Sequence, residues 1–302
     1  MKNTLLGSYI KLVTASLLYG MIVFGGKVMS MNGFSLVEIL IVPYAIVCLI
    51  LIWFVRQDFK KFLKIPLWII LAYLATCITA QIGQYGPLFM GLSVSLVVFL
   101  LYTQPLWTTL ISVLFLKNPF TRREAVLVVL MVLGLVFLLS PWQDFNFSIW
   151  GFILALIGGV SFSSWVIISS YFSKNGIRPV SLAFLGGFFT TIPFILAYPL
   201  FIKIFPDPAI SGFTFFDRPV EIMATLALYA VTVFIFAHLL FYSAAKRINN
   251  IHLGLVLLLE PVVASGLDVT FLGTNLTWNM MLGGALILGA NAYLVTKSAE
   301  KE

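Results

Sequence analysis

Apolar residues along this chain run in long unbroken stretches, and polar residues gather in the short gaps between them. Ten stretches stand out: 12–29, 36–55, 67–85, 93–116, 125–139, 149–171, 180–204, 222–243, 253–271 and 278–295. They are continuously apolar instead of alternating, so they predict helices and not barrel strands. One bilayer crossing takes roughly 20 such residues. The gaps carry turn chemistry: Asn32-Gly33, Gly86-Pro87, Asn118-Pro119, Ser140-Pro141, Asn175-Gly176, Pro206-Asp207-Pro208 and Asn249-Asn250. The pattern predicts an all-α polytopic membrane protein of ten transmembrane helices.

Composition agrees. Hydrophobic residues make up 61% of the 302 and charged residues 10%, less than half the roughly 25% of a soluble domain. That excludes a soluble enzyme, a disordered regulator and a nucleic-acid binder. The first run is too long for a cleavable signal and lacks a small-x-small exit. Cys48 and Cys77 fall inside apolar runs and read as free thiols.

Charge placement orients the helices. Lys2 and Lys11 precede or open the first helix. Arg56, Lys60, Lys61 and Lys64 lie between the second and third, and Lys117, Arg122 and Arg123 between the fourth and fifth. Lys174 and Arg178 separate the sixth from the seventh, and Lys246 and Arg247 the eighth from the ninth. Lys297 and Lys301 close the chain. Fifteen of the 18 Lys and Arg thus fall on one side, which the positive-inside rule makes cytoplasmic, together with both termini. The net charge of +7 is then a topology signal and calls for no anionic partner. Trp53 and Trp68 on one side, with Trp142, Trp150 and Trp278 on the other, fit aromatic belts.

A shift of 156 residues lays Gln104-Pro105 on Glu260-Pro261, Leu116 on Leu272, Thr121 on Thr277 and Tyr85 on Phe241. The chain therefore divides into two five-helix halves, 1–143 and 144–302. Five is odd, so the second half starts from the opposite side and the repeats are inverted. Arg122 and Arg123 correspond to Trp278 and Asn279, so the basic residues switch loops as an inverted duplication requires.

Ten helices as five plus five, with proline in the fourth and Glu-Pro in the ninth, resemble the drug/metabolite transporter superfamily, EamA type. The stretches "LLYTQPLWTTLISVLFL" and "LVLLLEPVVASGLDVTFLG" are similar to the family's pattern around the proline. Asn118 and Thr274 stand where the family often has glutamate. The resemblance covers essentially the whole chain and implies secondary transport, while leaving the substrate open.

Ionisable groups inside lipid are costly, so they are candidates for function. Glu260 lies about nine residues into the ninth helix, roughly 13 Å deep at 1.5 Å per residue. It either carries a proton or faces a cationic substrate group, or it stays protonated and holds the kink. Pro261 leaves the Leu257 carbonyl without its helical donor, and Pro105 does the same to Leu101. Two kinked central helices mark the expected site of an inverted-repeat transporter. Gln104 is the pseudo-symmetric partner of Glu260, and Trp107 shares its helix face. Trp165 is also internal; cavity lining and core packing both fit these two tryptophans. Cys77, Gln81, Gln84 and Tyr85 form one polar stripe on the third helix. That stripe faces protein or water, or bonds between helices. Lys27 and Asp268, toward the outer ends of their helices, either pair or face a vestibule, with snorkelling the plainer account of Lys27. Glu38 opens the second helix, where the dipole accepts it. Asn291 has the same two readings as the stripe, with the structural one favoured, and His238 and His252 read as interfacial, without metal-ligand spacing. Gly158-Gly159, Gly186-Gly187, Gly283-Gly284 and Ala285 with Gly289 read as close-packing positions.

The expected substrate-binding set is Gln104, Trp107, Glu260, Gln81, Gln84, Tyr85 and Trp165. The expected coupling or gating set is Glu260, Pro105, Pro261, Asp268 and Lys27. The expected function is secondary export of a small amphipathic metabolite, an amino acid or related compound, across the plasma membrane by alternating access. A proton-coupled exporter of cationic drugs or quaternary amines is the alternative; an intramembrane enzyme is remote, for lack of a nucleophile motif. No cofactor and no metal are expected. The expected partners are a small-molecule substrate and the bilayer, as a monomer or a homodimer.

Overall fold

The computed structural model describes residues 4–142 and 148–299. The expected boundary at 143–144, and Lys2 and Lys301, lie outside these residues. Among the described residues all regular structure is helical. The helices are α1 (Leu5–Met31), α2 (Leu36–Val55) and α3 (Leu67–Phe89). Then come α4 in two parts (Val94–Leu101 and Gln104–Leu114), α5 (Arg122–Leu139), α6 (Ile149–Lys174) and α7 (Pro179–Ile204). The α8 helix has three parts: Val220–Tyr229, a π-helical stretch Ala230–Ile235, and Phe236–Ala245. The α9 helix has two (Asn250–Val256 and Leu259–Leu272), and α10 is Trp278–Ala299.

Among the described residues, nine helices are long and apolar enough to cross a membrane. The exception is α5, an 18-residue helix that opens on Arg122, Arg123 and Glu124. Only residues 125–139 remain for lipid, short of the usual 17 or so. The expected ten crossings thus stand at nine by length and apolarity.

Other boundaries differ for local reasons. The first helix starts earlier than its apolar run, at Leu5, because Thr4 Oγ1 caps Gly7 N–H at 3.1 Å and Ser8 and Tyr9 are buried. The third runs through Gly86-Pro87 to Phe89. Pro87 deprives only the Gly83 carbonyl of a donor, and the helix ends two residues later. The fourth and ninth, expected to kink at Pro105 and Pro261, are interrupted just before those prolines, at Tyr102-Thr103 and Leu257-Leu258.

Packing follows the duplicated pattern. Along the bundle α3 lies on α6, as α8 lies on α1; α1 lies on the second part of α9, as α6 lies on both parts of α4; α2 pairs with α7 and α5 with α10. Glycines set the closest approaches. A Cβ on Gly83 would sit 2.6 Å from the Gly158 backbone nitrogen, and one on Gly134 would sit 2.9 Å from the Gly283 carbonyl oxygen. Gly289 departs from expectation: a Cβ there would meet nothing within 4 Å.

Side-chain contacts define two ends. At the basic end, Asp58 between α2 and α3 is 1% exposed and joins the start of α7. It accepts from Arg178 Nε at 2.8 Å and Ser181 Oγ at 2.6 Å, and pairs with Lys61 at 2.8 Å. Arg178 also donates to Gln57 Oε1 and the Phe54 carbonyl. At the opposite end, Glu38 is fully buried. It accepts from Ser35 N–H at 2.9 Å and Thr214 N–H at 2.6 Å, and pairs with Arg218 at 3.4 Å. A partner-rich acid therefore anchors each end of α2, Asp58 to the start of α7 and Glu38 to the connection that follows α7.

Candidate functional site

The break in α9 places Glu260 at the start of its second part, near the middle of the helix. Pro261 cannot donate, but the Leu257 carbonyl is not orphaned as the sequence suggests. Glu260 N–H reaches it at 3.0 Å in a tightened turn. The equivalent break in α4 includes Tyr102, whose hydroxyl interacts electrostatically with the Glu260 carboxyl. Tyr19 from α1, Tyr44 from α2 and Tyr85 from α3 lie within electrostatic reach of the same carboxyl. Glu260 is 8% exposed, and its Oε2 is buried with no hydrogen-bond partner among the described residues. Four helices thus bring tyrosines to one acid. This is possible because α1 carries Gly20 at the crossing: a Cβ there would lie 2.8 Å from the Glu260 carbonyl oxygen.

Beside this cluster lies an aromatic wall. Trp165 stacks on Phe241 with ring centroids 4.9 Å apart, and on Phe162 at 5.5 Å. His238 meets Tyr19 edge-on at 5.2 Å, and its Nδ1 is 2.7 Å from the Phe234 carbonyl oxygen. His238 is therefore buried in the middle of the wall and not interfacial, a correction. Its helix continues inward from Ala245, and the residues around it are rings, not lipid headgroups. His252 does sit at the basic end. There it bonds to Tyr9 through Nδ1 and to Glu124 Oε1 through Nε2 at 3.0 Å, linking α9 to α1 and α5.

The other expected site residues fall in three places. Gln81 interacts with Tyr44, and Tyr85 lies within electrostatic reach of Glu260, so two members of the α3 stripe approach the cluster. Gln84 is half-buried on the same helix. Gln104 is fully buried; its Nε2 donates to Thr108 Oγ1 at 2.8 Å, and Gly254 of α9 makes room beside it. Its backbone carbonyl accepts from Ser163 Oγ at 2.6 Å. Gln104 thus holds the contact between α4, α6 and α9. Trp107 is half-buried and donates to Thr103 Oγ1 at 3.1 Å, across the α4 break. Lys27 and Asp268 pair at 2.6 Å toward the opposite end, with side chains 48% and 25% exposed. Asn291 bonds to the Ile287 carbonyl at 3.1 Å, within its own helix.

Sequence reasoning missed Tyr19, Tyr44, Tyr102 and His238. A tyrosine inside an apolar run looks like core or belt. Only Tyr102 carried a usable sign, standing two residues before Gln104-Pro105.

Burial is asymmetric along the molecule. From the basic end, α1 and α9 bury residues as far as Gly20 and Pro261. Beyond these points only Met29 of α1, and no residue of α9, is buried.

The family model described as "EamA-like transporter family" matches residues 6–140 and 149–296. A search of curated proteins returns no match. A solved structure, described only as "Crystal structure of protein", is similar with a TM-score of 0.73 at 18% identity. The likeness covers 94% of this chain and 96% of the other. At that identity it speaks for the fold alone.

Proposed function

We propose that this chain, which belongs to the EamA-like transporter family of the drug/metabolite transporter superfamily, is a secondary transporter exporting a small amphipathic metabolite. The substrate carries an ammonium group and is an amino acid or a related compound. One observation carries this reading: at a helix break, Glu260 Oε2 is buried with no hydrogen-bond partner among the described residues, within electrostatic reach of four tyrosines. An ammonium supplies the missing donors, and tyrosine faces attract the same charge. Lys and Arg cluster toward the helix ends and loops, which disfavours phosphate-bearing substrates.

Alternating access rests on the duplicated packing of α1–α5 and α6–α10, read as two inverted repeats in a ten-crossing plasma-membrane protein. The basic end is cytoplasmic, with both termini. Burial up to Gly20 and Pro261 then closes Glu260 to the cytoplasm, and the site is reached from outside. The breaks before Pro105 and Pro261 serve as hinges, and the Lys27–Asp268 pair joins α1 to α9 as an outer gate. Gln81, Gln84, Tyr85, Trp107 and Trp165 line or support the substrate path.

A second reading, proton-coupled export of quaternary amines, draws on the same tyrosine group, which suits a permanent cation. A thermal-shift panel of amino acids, amines and quaternary ammonium compounds on purified protein separates the two. A true ligand raises the melting temperature with concentration. Stabilisation by amino acids supports the first reading. Stabilisation by permanent cations alone replaces it with the second, and none from either class contradicts both.

A further inference from the structure

Away from Glu260, α5 and α10 enclose a second feature. They touch where Gly134 meets Gly283, and toward the basic end a Cβ on Gly289 would meet open space. The gap is a groove of about 420 Å³ lined by Arg123, Val126, Leu130, Gly289, Ala290 and Tyr293. Gly289 and Ala290 form a shallow floor, and a Cβ on Gly289 would meet nothing within 4 Å. Val126 and Tyr293 are exposed on its rims, so the groove opens sideways, where a bilayer surrounds the protein.

At its basic end stands Arg123. Its guanidinium lies over the Tyr293 ring, 4.5 Å from the centroid. The Nε and Nη2 atoms are buried without a hydrogen-bond partner among the described residues. The neighbouring acid is not free to pair with it. Glu124 Oε2 closes the capping box with Thr121 at 2.8 Å, and Oε1 is 3.0 Å from His252 Nε2. Two buried guanidinium donors without an acceptor are costly. They match two oxygens of one phosphate in a forked geometry.

We propose that this groove binds one anionic phospholipid, with its phosphate on Arg123 and an acyl chain laid along Val126, Leu130, Gly289 and Ala290. An apolar trough ending, at headgroup level, in a cation with no acid partner among the described residues is complementary to that ligand and to no soluble anion of the same charge. Bound there, the lipid ties the start of α5 to the end of α10.

The test is native mass spectrometry of the full chain in an uncharged detergent, with phosphatidylglycerol or phosphatidylcholine added. Phosphatidylglycerol is expected to stay bound in preference. Arg123→Gln weakens that binding about tenfold, while Arg123→Lys keeps part of it. Gly289→Leu fills the trough, which has room for it, and weakens retention with Arg123 intact. A melting curve confirms that each variant is folded. Equal retention of the two lipids, or retention unchanged by both Arg123→Gln and Gly289→Leu, overturns the proposal. So does equal stabilisation by inorganic phosphate, or a groove filled by a second copy, seen as a dimer that Gly289→Leu splits without altering lipid retention.

Discussion

Glu260 and Asp58 are both buried acids, but their surroundings are opposite in character. Asp58 has every reason to stay charged. Burial alone would raise its pKa, but hydrogen bonds from Lys61, Ser181 and Arg178 outweigh that and hold it well below the usual carboxylate range. Its folded pKa is depressed, so its stabilisation is complete above the ordinary carboxylate pKa and fades as pH falls toward the folded value. Asp58→Ala is therefore expected to cost about 2 kcal/mol at neutral pH. In thermal melts, the gap between wild type and variant should shrink below about pH 4; a gap that widens there contradicts the assignment. Glu260 has one carboxyl oxygen without a hydrogen-bond partner among the described residues, which suits a group that takes up a partner from outside the protein. The sequence exposed Glu260, since an acid in an apolar run is rare. Gln104, its partner by repeat symmetry, also keeps a buried oxygen, Oε1, without a hydrogen-bond partner among the described residues. In Gln104 the amide turns to Thr108 beside Gly254.

Among elements, the broken helices were legible from their prolines, and the breaks fall within one residue of each other after the 156-residue shift. The π-helical stretch at Ala230–Ile235 was not. No proline or glycine marks it; it follows Tyr229, whose hydroxyl reaches the Met21 and Ile22 carbonyls of α1 at 3.1 Å. Close helix contacts were partly readable. Gly158 and Gly283 do meet backbone, whereas Gly289 faces open space. Spacing of small residues cannot tell a contact from a groove floor. Gly83→Ala, caught between backbones that cannot yield, is expected to lower stability by about 1–3 kcal/mol. Gly266→Ala, beside which nothing lies within 4 Å, should leave the melting temperature unchanged or slightly raised. Equal melting of the two variants would show that α3 and α6 are not so close.

For the whole molecule, charge and hydropathy were sufficient for the class of fold, because lipid forbids most alternatives. They did not specify which helices touch, since apolar faces look alike in sequence. The contacts of Asp58 with Arg178, and of Glu38 with Arg218, join loops that the charge pattern had already put on common sides. Lys27 and Asp268 act at this scale, joining α1 to α9. Their exposed pair adds less than about 1 kcal/mol to stability. Lys27→Met and Asp268→Asn should therefore leave melting nearly unchanged while altering the transport rate. Reduced melting with an unaltered rate would make the pair structural.

The most direct measurement is flux into proteoliposomes of a ligand found by thermal shift, comparing wild type with Glu260→Gln at several values of pH. Glutamine keeps the size of the side chain and removes its charge. Saturable, trans-stimulated flux is predicted for wild type, with a loss of about tenfold or more in a folded Glu260→Gln protein. Flux by Glu260→Gln at the wild-type rate and with the wild-type pH dependence would contradict a substrate or proton role for Glu260.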